Sequence, residues 1–125
     1  MADIDIERAE NLMKSARYLL SQDDLAGVAG LAYQAFESAV ISLTSVINGS
    51  DSRTHAARRK RAKVLLSNHR TKIDLLWEVR NVDFYGNTHL DQPRRKLTKE
   101  EAVDALNTVE IIIADIKQML RSGNQ

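Results

Sequence analysis

Cysteine is absent, so disulfides and thiolate metal sites are excluded for this 125-residue chain, while its redox compartment stays open. Proline occurs once and glycine five times, which leaves room for long uninterrupted helices. Aromatic residues make up only 5%, and β-branched residues are not gathered into the alternating runs of strands. No apolar run approaches the roughly 18–20 residues that span a bilayer. The acidic start, with Asp3, Asp5, Glu7 and Glu10, is the reverse of a signal peptide's basic n-region. The expectation is one soluble, cytoplasmic domain over 1–125, with no membrane partner and enough length for one core.

Most enzyme signatures are also missing. No glycine-rich loop can cradle phosphates, and there is no HExxH motif, no Cys/His ligand set and no serine elbow. No metal or cofactor is expected. The three histidines, His55, His69 and His89, fall in or beside expected loops or helix ends, where a lone histidine is ordinarily a surface residue.

What is present is helical periodicity. Ile6, Ala9, Leu12/Met13, Ala16 and Leu19/Leu20 form an apolar stripe over about Ile4–Leu20. Asp23 or Asp24 can cap the next helix, Leu25 to about Ile47. That segment is apolar nearly all round, with Leu25, Val28, Ala32, Phe36, Val40, Leu43 and Ile47 in one stripe, so it belongs at the centre. A third helix starts at Ser52 or Thr54 and runs to about Leu66, with Ala57, Arg61, Val64 and Leu65 expected inward. After a break at 67–70, a fourth covers about Thr71–Tyr85. A polar loop holding Pro93 leads to a fifth, opened by the capping box Thr98-Lys99-Glu100-Glu101. Its core stripe is Val103, Leu106, Val109, Ile112/Ile113, Ile116 and Leu120, with Ile111 off the stripe. Such a pattern predicts an all-α, up-and-down bundle of four to five helices.

The formal net charge of +1 conceals an uneven distribution. Between Ser52 and Ile73 stand eight basic residues (Arg53, Arg58, Arg59, Lys60, Arg61, Lys63, Arg70 and Lys72) and no acid. This allows an anionic partner without establishing one. No aromatic residue is interleaved with the run, so base stacking by it should be poor.

The most informative stretch is Leu75–Gly86, LLWEVRNVDFYG. At 100° per residue, Ile73, Leu76, Trp77, Arg80 and Phe84 share one helix face. An arginine on an apolar face needs a partner, because an unpaired charge out of water is costly. Asp83 lies at helix-neighbour spacing from it. Glu37, the sole charge within the central helix, either emerges at a gap in the bundle or holds Arg80.

These segments together resemble the HEPN domain family, small bundles of four or five helices. The resemblance rests on AYQAFESAV around Glu37, Arg53-Thr54-His55, Arg80-Asn81-Val82-Asp83-Phe84-Tyr85-Gly86, and Thr98-Lys99-Glu100-Glu101-Ala102 opening a long apolar helix. It spans about residues 5–121. It implies that the chain dimerises. Catalytic members of the family are metal-independent ribonucleases with an arginine, four to six residues, then a histidine, paired across the dimer. Arg80 and Asn81 match the start of that motif. The histidine slot holds Tyr85-Gly86-Asn87, and His89 lies too far along. A phenol, ionising near pH 10, is a poor base at neutral pH.

The resemblance therefore implies a non-catalytic dimeric module. Such a module binds nucleotide or RNA phosphate through Arg80, Asn81, Arg58, Arg59 and Arg61, or pairs with a partner such as a minimal nucleotidyltransferase. Glu37 and Asp83 would support the site. A second reading is a ribonuclease toxin of a toxin–antitoxin pair, with Arg80, Asn81 and Tyr85 as catalytic candidates. A third is a purely structural dimer.

Overall fold

The computed structural model describes the backbone of residues 2–48, 54–84 and 96–123, and side chains within 4–45, 54–82 and 96–122. Among these residues there are five helices and no strand: α1 (Ala2–Ser21), α2 (Leu25–Asn48), α3 (His55–Leu65), α4 (Arg70–Phe84) and α5 (Lys99–Gly123). A short 3₁₀ turn, Ser67–His69, joins α3 to α4. The loop around Pro93, and the residues Arg53, Tyr85, Gly86, Asn87 and His89, lie outside the described residues, as do the side chains of Ile47, Asp83 and Phe84.

The helix starts are set by local chemistry. Asp24 accepts a hydrogen bond from the Gly27 N–H at 3.0 Å and caps α2, while Asp23 takes the left-handed conformation, φ 58°, that turns the chain from α1. A Cβ at Gly27 would stand 2.6 Å from Asp24 Oδ2 and 2.7 Å from Leu19 Cδ1. Glycine therefore lets the two helices close tightly. Thr54 caps α3, accepting from the Ala57 N–H at 3.0 Å. At α5 the expected capping box is reciprocal: Glu101 N–H donates to Thr98 Oγ1 at 3.1 Å, and Thr98 N–H donates to Glu101 Oε1 at 3.0 Å.

Burial follows the apolar stripes. Ile6, Ala9, Met13 and Ala16 of α1, Leu106, Val109, Ile112, Ile113 and Ile116 of α5, and Ile73 and Leu76 of α4 close on α2. All four other helices pack against α2. Contrary to the sequence expectation, its segment Leu25–Ser45 is long and apolar enough, by length and composition, to cross a bilayer, because Glu37 alone interrupts it, but 67% of it is buried inside the bundle. Being apolar all round is the signature of this central place. At the surface, Arg17–Glu110 (2.8 Å) and Lys117–Glu10 (3.3 Å) link α1 to α5. Lys63–Asp74 (3.0 Å) links α3 to α4.

The inner side of α3 differs from the sequence expectation. Ala57 is exposed, Val64 is 64% exposed, and Arg61 is only half-buried, whereas Ala62 and Leu66 are buried and Arg58 and Arg59 turn partly inward. The helix is rotated by about one residue, or roughly 100°. The cause lies on its neighbours, where an acid and an indole receive the two arginines.

Candidate functional site

Three helices converge where α3 crosses α2 and α4. The central helix contributes Tyr33 and Glu37, one turn apart; α3 contributes His55, Arg58 and Arg59; α4 contributes Trp77, Arg80 and Asn81. Tyr33 is 1% exposed and Arg80 9% exposed. An arginine stripped of solvent this far fits its place on the apolar face of α4.

Three aromatic rings form the floor. Tyr33 and Trp77 have centroids 5.3 Å apart, and the His55 ring lies 5.8 Å from Trp77 and 6.4 Å from Tyr33. Two guanidinium groups rest on them. The Arg59 Cζ lies 4.5 Å from the Trp77 ring centroid. The Arg80 Cζ lies 5.1 Å from Trp77 and 5.7 Å from Tyr33. Cations over π faces at these distances are attracted by about 0.5–2 kcal/mol each. Arg80 also donates from Nη1 to Asn81 Oδ1 at 3.1 Å, which joins the two residues singled out from the sequence.

Glu37 holds neither Arg80 nor a gap in the bundle. Its side chain is only 8% exposed, and its Oε2 lies 2.5 Å from His55 Nδ1 and 3.7 Å from Arg58 Nη1. The expected Glu37–Arg80 tie is thus replaced by one to α3. Physically, an acid buried on α2 takes the cations that the next helix brings, and His55 and Arg58 are one turn apart on α3. Asp83, the other expected partner of Arg80, has no described side chain.

The Tyr33 phenol is pushed up to about 12, chiefly by burial, with the Glu37 charge adding to the rise. Arg59, as a neighbouring donor and charge, and Arg80, as a charge, oppose the shift. Yet Tyr33 Oη and Arg59 Nη1 are both buried without a hydrogen-bond partner of proper geometry. Their relation is electrostatic proximity rather than an aligned bond. Among the described residues no carboxylate lies within ion-pair reach of Arg59.

Of the candidate phosphate ligands, Arg58, Arg59, Arg80 and Asn81 meet here, while among the described residues no hydrogen bond, ion pair or ring contact ties the half-buried Arg61 to the cluster. Tyr85 lies outside the described residues. Trp77 was placed beside Arg80 by helix spacing, but His55 and Tyr33 were not legible as members of the site. The available signal was Glu37, a lone buried acid that needed a partner from the helix following its own. Aromatic rings missing from the basic run are supplied by α2 and α4.

The fold and this cluster define a small helical bundle whose arginine-bearing fourth helix is set against the central one. The chain belongs to the HEPN domain family, whose model matches residues 3–119. No curated protein matches the chain. The fold is that family's all-α architecture, and HEPN domains commonly dimerise.

Proposed function

We propose that this chain is a dimeric HEPN-type module that binds phosphate groups of RNA or nucleotide at the cluster of Arg58, Arg59, Arg80 and Asn81. The observation that carries the reading is the placement of Arg59 and Arg80 on the Trp77 ring. The Arg59 guanidinium rests on the ring by its π face, and arginine's planar fork suits phosphate. Arg59, with no carboxylate in reach among the described residues, is the donor best supported for that role.

The basic residues around the cluster add long-range attraction without base readout. Lys60, Arg70 and Lys72 are exposed, so affinity should fall steeply with salt as counterions are released. Leu75 and Ile111 are 51% and 52% exposed. With a groove of about 350 Å³ floored by Leu75, Leu76, Val79, Ala105 and Thr108, they offer an apolar face for a second copy. A minimal nucleotidyltransferase or antitoxin on the same face is the alternative occupant.

The test is binding of unrelated fluorescent RNA oligonucleotides at two salt concentrations, beside Arg59→Ala. The variant should lose affinity about equally for all sequences and lower the salt slope by about one. Unchanged affinity and slope would remove this site from the reading. Light scattering at micromolar protein should give twice the 14.1 kDa chain mass.

A further inference from the structure

Against Trp77 the helices enclose two polar atoms and leave both without a partner. Tyr33 Oη and Arg59 Nη1 are buried, and neither makes a hydrogen bond. The two side chains are neighbours, since Arg59 acts on the phenol both as a nearby donor and as a charge. They also lean on one indole. The Tyr33 and Trp77 ring centroids are 5.3 Å apart, and the Arg59 Cζ is 4.5 Å from the Trp77 centroid. Folded proteins leave few buried polar atoms unsatisfied, and those that persist point to a bound water or ion.

The chemistry of the two atoms decides which. A guanidinium carries donors and no acceptor. The Tyr33 phenol, pushed up to about 12 by burial, keeps its proton and presents an O–H. Both atoms therefore seek an acceptor. Charge points the same way. Arg59 has no carboxylate within ion-pair reach among the described residues, and Glu37 is engaged by His55 and Arg58. An anion accepts from both donors and supplies the charge that Arg59 lacks. A water accepting from both would bring two hydrogens of its own to be placed among aromatic rings and guanidinium groups. Size narrows the choice further. Tyr33 is 1% exposed, with the Phe36 ring centroid 5.4 Å from its own on one contact and Trp77 on another. A ligand that reaches its hydroxyl is one atom or little more, whereas a phosphodiester carries a sugar on either side.

We propose that Tyr33 Oη and Arg59 Nη1 form an interior site for a small inorganic anion of halide size, with chloride as its ligand. The site stands without the phosphate-binding reading, because it uses atoms that solvent does not reach. Tyr33 belongs to α2 and Arg59 to α3, so a bound chloride fastens α3 to the central helix. Stability then depends on which anion is present and not on ionic strength alone, since a ligand held only by the folded chain stabilises it by mass action.

The test uses the full chain and its one tryptophan. Sodium chloride or iodide replaces sodium gluconate, whose anion is too large for the site, at constant ionic strength. Circular dichroism follows thermal unfolding, and fluorescence follows Trp77. The thermal midpoint of the wild type should rise along a saturating curve in chloride. Iodide should quench Trp77 along a saturating curve that added chloride moves to higher iodide. Tyr33→Phe keeps the ring and removes the hydroxyl. It should weaken halide affinity about ten-fold or more, as the loss of a hydrogen bond to a charged group does. Arg59→Gln should abolish saturation, and it decides the matter if Tyr33→Phe fails to fold. Equal midpoints in chloride and gluconate, the result that a bridging water gives, overturn the proposal. So does saturation that persists unchanged in either folded variant, which would place the anion elsewhere.

Discussion

Arg59 lies across the indole of Trp77, its guanidinium carbon 4.5 Å from the ring centroid. The chain has one tryptophan, so this contact can be watched alone. Arg59→Ala should shift the emission of Trp77 and lower stability by about 0.5–2 kcal/mol. Arg59→Lys should recover less than half of that, because an ammonium cannot stack on the ring as a planar guanidinium does. Tryptophan fluorescence during urea unfolding measures both effects. An emission spectrum identical to the wild type would mean that the contact is not populated in solution.

Glu37 should couple to α3 more strongly than to α4. Its carboxylate meets His55 and Arg58, and hydrogen bonds to charged groups contribute about 1.5–3 kcal/mol. A double-mutant cycle on Glu37 and His55 should give a coupling of at least about 1 kcal/mol. The same cycle on Glu37 and Arg80 should give a smaller one. The reverse order, measured by urea denaturation, would restore Arg80 as the partner of Glu37.

Tyr33 should make folding sensitive to strong alkali. Its folded-state value is raised to about 12 from the usual 10. The native phenol therefore holds its proton after the unfolded one has released it. The associated stability is complete below pH 10 and is lost progressively as pH rises from about 10 to 12. Tyr33→Phe should flatten that decline. The difference between wild-type and variant absorbance titrations at the tyrosinate band should show one tyrosine ionising near pH 12. A difference curve centred near 10 would contradict burial of the hydroxyl.

The α5 capping box offers a test away from the site. Thr98 and Glu101 satisfy each other's backbone N–H groups. Thr98→Ala should cost about 0.5–2 kcal/mol, and adding Glu101→Ala should cost less than the sum of the two singles, because both act on one motif. Thermal unfolding by circular dichroism reads the loss, and strict additivity would show that the two caps act independently.

How much of this was legible depended on whether a residue's surroundings are set by its own helix. The capping box, the stripes of α1 and α5 and the central place of α2 are written in spacing alone, since each reflects 3.6-residue periodicity against a single core. The burial of Arg80 was legible for the same reason. The facing of α3 was not, because it has alanines and cations rather than large apolar residues to mark a stripe. Arg58 and Arg59 turn inward to reach Glu37 and Trp77, and their aliphatic stems cover the surface between. Which arginine reaches which partner is decided by two other helices. His55 stayed hidden as part of the site for the same reason: its meaning lies in an acid eighteen residues earlier.

The division of the bundle has a consequence for its motions. The cluster is made where α3 and α4 lean on α2, whereas α1, α2 and α5 share the most extensive packing. The α1–α2 hairpin, closed by the short Asp23–Asp24 turn, is built from contacts near in sequence, and such units tend to form early. The α3–α4 arm can then detach as a cooperative unit while the remaining three helices stay closed. Amide hydrogens of α3 should exchange at a lower opening free energy than those of α2. A phosphate held between Arg59 and Arg80 would slow that exchange, coupling occupancy of the site to attachment of the arm.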